Sequence, residues 1–194
     1  MKNFINHIRQ FVNFTDDEAA AFYNVMTEVH FKKGAHLLEQ GSICGQVYFI
    51  TKGTVIYFMK QDDSEIINEV FFENCWVTEY GSFLAKSPAT KSIRAMDEVT
   101  VLALSYNNMQ QLYSKAQCYE RFGRLMAENL FVTHERAMIH MRKSAEERYL
   151  MFAKERPELL QRIPQYMIAS MLNITPEALS RIRRRAIKPV RQAQ

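Results

Sequence analysis

Between residues 30 and 104 the apolar residues come in short runs, broken by Gly, Asp, Asn and Ser, and this pattern narrows the fold more than any other part of the chain. Residues 47–50 (Val-Tyr-Phe-Ile) and 55–58 (Val-Ile-Tyr-Phe) flank Thr51-Lys52-Gly53-Thr54, which reads as a hairpin with glycine in the turn. Gln61-Asp62-Asp63-Ser64 is a second turn, and the runs 92–96 and 99–104 are separated by Asp97-Glu98. Many short strands at near-regular spacing predict a small antiparallel barrel or jelly roll. One longer insert, residues 78–90 (TEYGSFLAKSPAT), interrupts it with Gly and Pro and has room for a short helix. A loop of this kind on a rigid barrel is where a small ligand would sit. Ahead of the barrel, Phe4, Ile5, Ile8, Phe11 and Val12 recur at helical spacing, and Thr15 with Glu18 forms a capping box leading into a second helix over 19–29.

After the barrel the period changes. Residues 107–141 contain no Pro and one Gly. Positions 109, 112, 116, 119, 123, 126, 130, 133, 137 and 140 step by three and four and read Met, Leu, Ala, Tyr, Gly, Met, Leu, Thr, Ala, His, a mostly apolar heptad-like seam. A single helix of this span would be about 50 Å long, more than one small barrel can cover. The expectation is therefore a dimer seam, with a merely buried long helix as the alternative. Ser144 and Glu147 form another capping box, opening a helix that Pro157 stops.

Residues 163–187 read as two short helices and a tight turn. The first spans 165–171; the turn is Leu172-Asn173-Ile174, where Asn tolerates a left-handed backbone. Thr175 is a good N-cap and Pro176 suits the first helical position. In the second helix, 176–185, Leu179, Ile182 and Ala186 share the packing face, whereas Glu177, Ser180, Arg181 and Arg184 share the solvent stripe. This is the pattern of a helix-turn-helix whose second helix faces a major groove, though two amphipathic helices can equally be a plain packing unit. Charge separates the two readings. Residues 157–194 carry seven Lys and Arg against Glu158 and Glu177, whereas the rest of the chain carries 18 basic and 19 acidic groups. All the positive excess thus lies on this unit and its tail, which points to a polyanionic partner.

At 194 residues and 24% charged, the chain is expected to be an ordinary globular protein. No apolar run approaches the length of a membrane span and no leader pattern opens it, so a cytoplasmic protein with no membrane partner is expected. Cys44, Cys75 and Cys118 are widely spaced and the five His show no metal-ligand spacing, so neither a disulfide framework, a zinc site nor a metalloenzyme is expected.

Small barrel, ligand-sized loop, long helix and basic helix-turn-helix, in this order, resemble the cyclic-AMP receptor/fumarate-nitrate regulator family of bacterial transcription factors. The residues carrying the resemblance are Gly34, Leu38, Gln40-Gly41, Val47-Tyr48-Phe49-Ile50 and Lys52-Gly53 in the barrel, and Glu177-Ala178-Leu179-Ser180-Arg181-Ile182 in the last helix. The resemblance implies an α+β chain: an antiparallel β-roll of the cyclic-nucleotide-binding kind over 1–106, a dimerisation helix over 107–141, and a helix-turn-helix domain over 142–194. It implies a homodimeric regulator that binds double-stranded DNA and works with RNA polymerase, not an enzyme. Glu177, Ser180 and Arg181 would read bases, Thr175 would cap the reading helix, and Arg183, Arg184, Arg185 and Lys188 would meet phosphates. The usual wing has no room before residue 163, leaving the tail after Ile187 as its substitute.

In the loop over 76–95, Glu79 and Thr90 match the residues that take a ribose hydroxyl and a phosphate, and Thr133 matches the helix residue that meets the base. Thr78 and Tyr80 flank Glu79 and are expected to line the same ligand pocket. The family's phosphate-pairing Arg, however, is Ala89, which removes the bidentate partner of a cyclic phosphate. Lys86, Lys91 and Arg94 are the candidate substitutes. The expected effector is therefore a small molecule other than cyclic AMP, or none. A ligand-binding module without DNA binding is the alternative reading.

Overall fold

The computed structural model describes residues 1–62 and 64–187. Eight short strands form two four-stranded antiparallel sheets: β1 (Thr27–Phe31), β8 (Val99–Ser105), β3 (Gln46–Lys52) and β6 (Trp76–Val77) in one, and β2 (His36–Leu38), β7 (Ser92–Ala95), β4 (Val55–Gln61) and β5 (Ser64–Phe71) in the other. Phe49, Ile50, Val55, Ile93, Val101 and Leu102 belong to one apolar core that the sheets share with the helices packed on them.

One pairing differs from the sequence reading. β3 and β4 are not a hairpin: β3 pairs with β8 and β6, β4 with β5 and β7. The turn at Gly53 carries the chain from one sheet to the other, as does the Asp97-Glu98 turn between β7 and β8. The two crossings lie side by side, with the Thr54 amide donating to Asp97 Oδ1 (2.9 Å) and the Met96 amide to the Thr54 carbonyl (2.9 Å). Alternation alone does not distinguish a hairpin from a corner, because both put a turn residue between two apolar runs. The β4–β5 turn is a true hairpin, its Asp62 at φ 53°.

Helices α1 (Lys2–Arg9) and α2 (Asp16–Asn24) close one end of the roll. The capping box of Thr15 and Glu18 is formed, but α2 stops at Asn24 and β1 begins at Thr27, earlier than the periodicity suggests. Phe4, Phe22 and Phe49 pack edge to face at centroid distances of 5.2 and 5.4 Å. Phe122 of the long helix joins them, 5.6 Å from Phe22.

The span 107–141 is two helices rather than one. α4 (Tyr106–Lys115) lies on the roll and buries Met109 and Leu112; Ala116 then takes an extended conformation (φ −157°, ψ 147°), and α5 (Gln117–Met141) leaves the roll. At 25 residues, α5 is about 37 Å long. Tyr119 and Phe122 anchor its first turns, whereas every residue from 127 to 139 is exposed. Gly123 faces Tyr113 of α4: a Cβ there would press on the Tyr113 hydroxyl, so that ring would have to shift.

Four helices follow: α6 (Ala145–Glu155), α7 (Pro157–Arg162), α8 (Gln165–Met171) and α9 (Pro176–Ile187). Ser144 and Glu147 form both bonds of the predicted capping box. These helices do not hang free. Tyr149, Leu159, Ile163, Met167, Ile168, Leu172, Leu179 and Ile182 make one cluster with Ile56, Phe58, Ile67, Val70 and Phe72 of the roll. Strand alternation explains the sharing: Val55 points between the sheets, while Ile56 and Phe58 point outward and would be bare without the helices. Among the described residues no helix is long and apolar enough to cross a membrane.

Candidate functional site

The α8–α9 unit is built as its residues suggest. Asn173 sits at φ 53°, the one left-handed residue of the turn. Its amide reaches the Ser170 carbonyl at 2.9 Å, and the Ile174 amide reaches Ala169 at 3.0 Å. Arg148 of α6 donates to the Leu172 carbonyl at 2.6 Å, satisfying the end of α8 from outside the unit. Thr175 Oγ1 accepts from the Ala178 amide at 3.2 Å, the capping bond that opens α9. Leu172, Leu179 and Ile182 are buried, so α9 has one orientation available to it.

That orientation leaves the polar stripe in water. Thr175, Glu177, Arg181 and Arg184 are exposed and Ser180 is half-buried. The Glu177 carboxyl is held below its ordinary value first by its own backbone amide, then by the Thr175 hydroxyl, with Arg181 one turn on adding to it. Arg185 behaves differently from expectation: it pairs with Glu146 of α6 at 2.9 Å, so it steadies α9 instead of extending the basic face. Lys188 and the tail that would replace the wing lie outside the described residues.

The loop that was matched to the effector site is closed on itself. α3 (Tyr80–Ala85) has Glu79 as its N-cap: Glu79 is 7% exposed, and its carboxylate accepts from the Ser82 amide (2.6 Å) and the Thr90 hydroxyl (3.0 Å). Glu79 and Thr90 are thus brought together, but bonded to each other. Thr78 turns the other way, donating to the Gln46 carbonyl at 2.9 Å and lying 3.2 Å from Cys44 Sγ. Tyr80 is half-buried, and burial pushes its phenol up. Tyr57 faces the same region; its phenol is raised first by burial and then by the negative fields of Glu79 and Cys44. Thr133 is exposed on the part of α5 that the rest of this chain leaves uncovered.

Ala89, where a cation would meet a phosphate, is 3% exposed, and its amide and carbonyl bond Ser42 and Gly41. Two of the candidate substitutes lie against aromatic rings and the third is ion-paired. Lys86 Nζ sits 3.6 Å from the Tyr106 ring centroid and Lys91 Nζ lies 5.0 Å from that of Tyr57. Arg94 makes a bidentate pair with Glu65 (2.7 and 2.6 Å) on the opposite face of its sheet. A recess of about 520 Å³ does open beside the loop, lined by His36, Glu39, Gln40, Gly41, Lys60, Ala89 and Ser92. Of the residues over 76–95 it borrows only Ala89 and Ser92, and Gln40 is already committed to the Lys60 backbone and the Ser92 hydroxyl.

Sequence reasoning passed over Glu69, Glu73, Arg156 and Arg162, which join the helices to the roll. Their partners lie 87 and 89 positions apart, and no local spacing signals a pair at that separation.

Comparison with known proteins agrees with this geometry. Residues 28–116 match the cyclic nucleotide-binding domain family, while no curated protein matches the chain by sequence. Among solved structures, the c-di-GMP-responsive global regulator CLP of Xanthomonas campestris superposes with a TM-score of 0.65 at 17% identity, over 89% of this chain and 91% of that one. FixK2 of Bradyrhizobium japonicum gives 0.66 at 18%, over 87% and 90%. The catabolite activator protein of Thermus thermophilus gives 0.57 at 15%, over 92% and 85%. The chain therefore carries a segment similar to cyclic nucleotide-binding domains, inside a fold that it shares over most of its length with CLP, FixK2 and the catabolite activator protein.

Proposed function

We propose that the protein is a homodimeric, sequence-specific DNA-binding transcriptional regulator, not an enzyme, with α8 and α9 as a helix-turn-helix. The observation that carries this is the polar stripe of Glu177, Ser180, Arg181 and Arg184, exposed at all but Ser180, on a helix whose opposite face is buried at Leu179 and Ile182; Ala186, read onto that packing face from the sequence, is exposed. A helix held this way can enter a major groove without rearranging. Arg181 suits guanine O6 and N7, Glu177 can accept from cytosine N4, and Arg184 serves a phosphate.

The second copy is proposed to lie along α5. At about 100° per residue, Ala127, Leu130, Phe131, His134, Ala137, Met138 and Met141 fall within one arc, and Leu130, Phe131, Met138 and Met141 are all exposed large apolar residues. This arc is turned from the seam read in the sequence: Thr133 and His140 fall outside it. Two copies pairing here would present two recognition helices, suited to a roughly palindromic site with half-sites about 34 Å apart.

Any effector would act through the roll, and cyclic AMP does not suit it. Glu79 already occupies the start of α3 with a negative charge, and Ala89 offers no cation to a phosphate. The test is fluorescence anisotropy on duplexes selected by the protein from a random-sequence pool. Arg181→Ala should weaken the selected duplex by about 1–3 kcal/mol and relax one position, while Arg184→Ala should weaken all duplexes alike. Adding cyclic AMP should leave the wild-type affinity unchanged. Failure to retain any duplex at low salt would leave the alternative, a ligand-binding module that does not touch DNA.

A further inference from the structure

The roll's second sheet ends in β5, an edge strand whose free backbone groups need covering. The carboxy-terminal helices cover it by specific bonds. Ser170 of α8 accepts from the Ile67 amide at 2.9 Å. Arg156, between α6 and α7, donates to Glu69 at 2.6 Å and to the Val70 carbonyl at 2.8 Å. Arg162, at the end of α7, holds Glu73 through both oxygens (2.6 and 3.0 Å), touches Thr54 Oγ1 at 3.3 Å, and lies over the Phe72 ring at 4.3 Å. Glu73 is itself fixed, because its Oε1 also accepts from the Gly53 amide at 3.0 Å. Beneath these polar bonds lies the shared apolar cluster.

We infer that helices α6–α9 are a third layer of the roll, not a swinging domain, and that Glu73–Arg162 and Glu69–Arg156 are the positioning pairs that fix the angle at which α9 is carried. Apolar contact alone is non-directional and would tolerate sliding. Bidentate guanidinium–carboxylate pairs fix both distance and plane. Arg162–Glu73 is such a pair, while Arg156 divides its two bonds between the Glu69 carboxylate and the Val70 carbonyl; the two anchors, one on β5 and one on the turn that follows it, remove the rotation that a single contact would leave. The roll therefore passes any change at the Gly53 corner straight to α7, through Glu73.

Hydrogen exchange on the full-length protein tests this with Glu73→Arg, Arg162→Glu and the double exchange of both. Each single variant should raise exchange over 157–171 by about ten-fold or more while β8 stays protected, and the double variant should return close to wild type. Single variants that exchange like wild type, or a double variant no better than the singles, would overturn the inference. Ser170→Ala guards against misfolding of the charge variants: it should raise exchange at the Ile67 amide by about ten-fold with β8 unchanged, and no rise there would count against the joint. A second readout rests on the proposed DNA binding. Loosening the joint should leave affinity for a half-site duplex unaltered and weaken the full palindrome by about ten-fold, because two heads at variable spacing lose effective concentration. Equal losses on both duplexes would overturn the positioning role. If wild-type protein selects no duplex, the DNA reading fails, while the exchange data still judge the joint.

Discussion

Leu130→Glu is expected to convert a dimer into a monomer. Leu130 is 45% exposed on the α5 arc, with Phe131 at 64%, Met138 at 58% and Met141 at 74% on the same arc. Each large apolar side chain moved from water into contact contributes about 1.5–3 kcal/mol, and a symmetric pair counts every residue twice. The glutamate removes that contact in both copies and sets two carboxylates against each other across the axis. The summed loss is several kcal/mol, enough to weaken association by about a thousand-fold or more. Sedimentation at micromolar concentration should show the shift, with α5 still helical by circular dichroism. Val132 provides the control. It is also exposed, at 44%, but falls on the far side of the helix with Glu128 and Glu135. Val132→Glu should leave the dimer intact; a dimer lost equally in both variants would place the seam elsewhere.

Gly53→Ala is expected to destabilise the whole chain by about 2–5 kcal/mol, from left-handed strain plus overpacking. The residue has φ 91°, and a Cβ built on it would lie 2.6 Å from both Asp97 Oδ1 and the Glu98 carbonyl oxygen, and 2.9 Å from Val99 Cγ2. One of these obstacles, the Glu98 carbonyl, is backbone, so rotamer changes of Asp97 and Val99 alone cannot relieve it. The corner that must move also holds the Thr54–Asp97 and Gly53–Glu73 bonds. At about 2–4 °C per kcal/mol for a chain of this size, the melting temperature should fall by roughly 5–15 °C. Gly34→Ala is the comparison: its φ is 84°, but nothing lies within 4 Å of the added carbon, so it should cost only the backbone strain.

Acid should loosen the same corner. Arg162 beside Glu73 holds its carboxyl down at about 2, against a smaller opposing effect of burial, with the Gly53 amide helping. A depressed carboxyl contributes its stability above its unfolded value, and that contribution is lost as pH falls toward the folded one. The joint should therefore hold from neutral pH down to about 4.5 and weaken progressively toward pH 2. Hydrogen exchange over 157–171 at pH 5 and pH 3, corrected for intrinsic rates, checks this. Equal protection at both values would argue against it.

The roll, both capping boxes, the Asn173 turn and the Thr175 cap could be read from the sequence because each rests on neighbours within a few residues. The break at Ala116 could not. Alanine favours helix, and the three-four spacing runs unbroken across it. What breaks the helix is tertiary: Met109 and Leu112 must lie on the roll, while Tyr119 and Phe122 must turn onto the α1–α2 aromatic cluster. The corner at Gly53 was taken for a hairpin because the sheet to which a strand belongs is not written in its alternation. The effector loop shows the same limit. Matching Glu79, Thr90 and Ala89 identified the absent cation, but not that Glu79 would turn inward to cap α3 and bond Thr90.

The pairing of β1 with β8, Thr27 opposite Ala103, has a consequence for how the chain is made. The first strand waits for the last before the roll can close, so most of this loop must emerge from the ribosome before any stable core exists, and folding by such distant contacts is slow. The carboxy-terminal helices come later still, and Ile56, Phe58, Val70 and Phe72 stay bare until they arrive. A nascent chain halted before α7 would thus display a sticky sheet face beside an open strand edge, a liability that calls for a chaperone during synthesis.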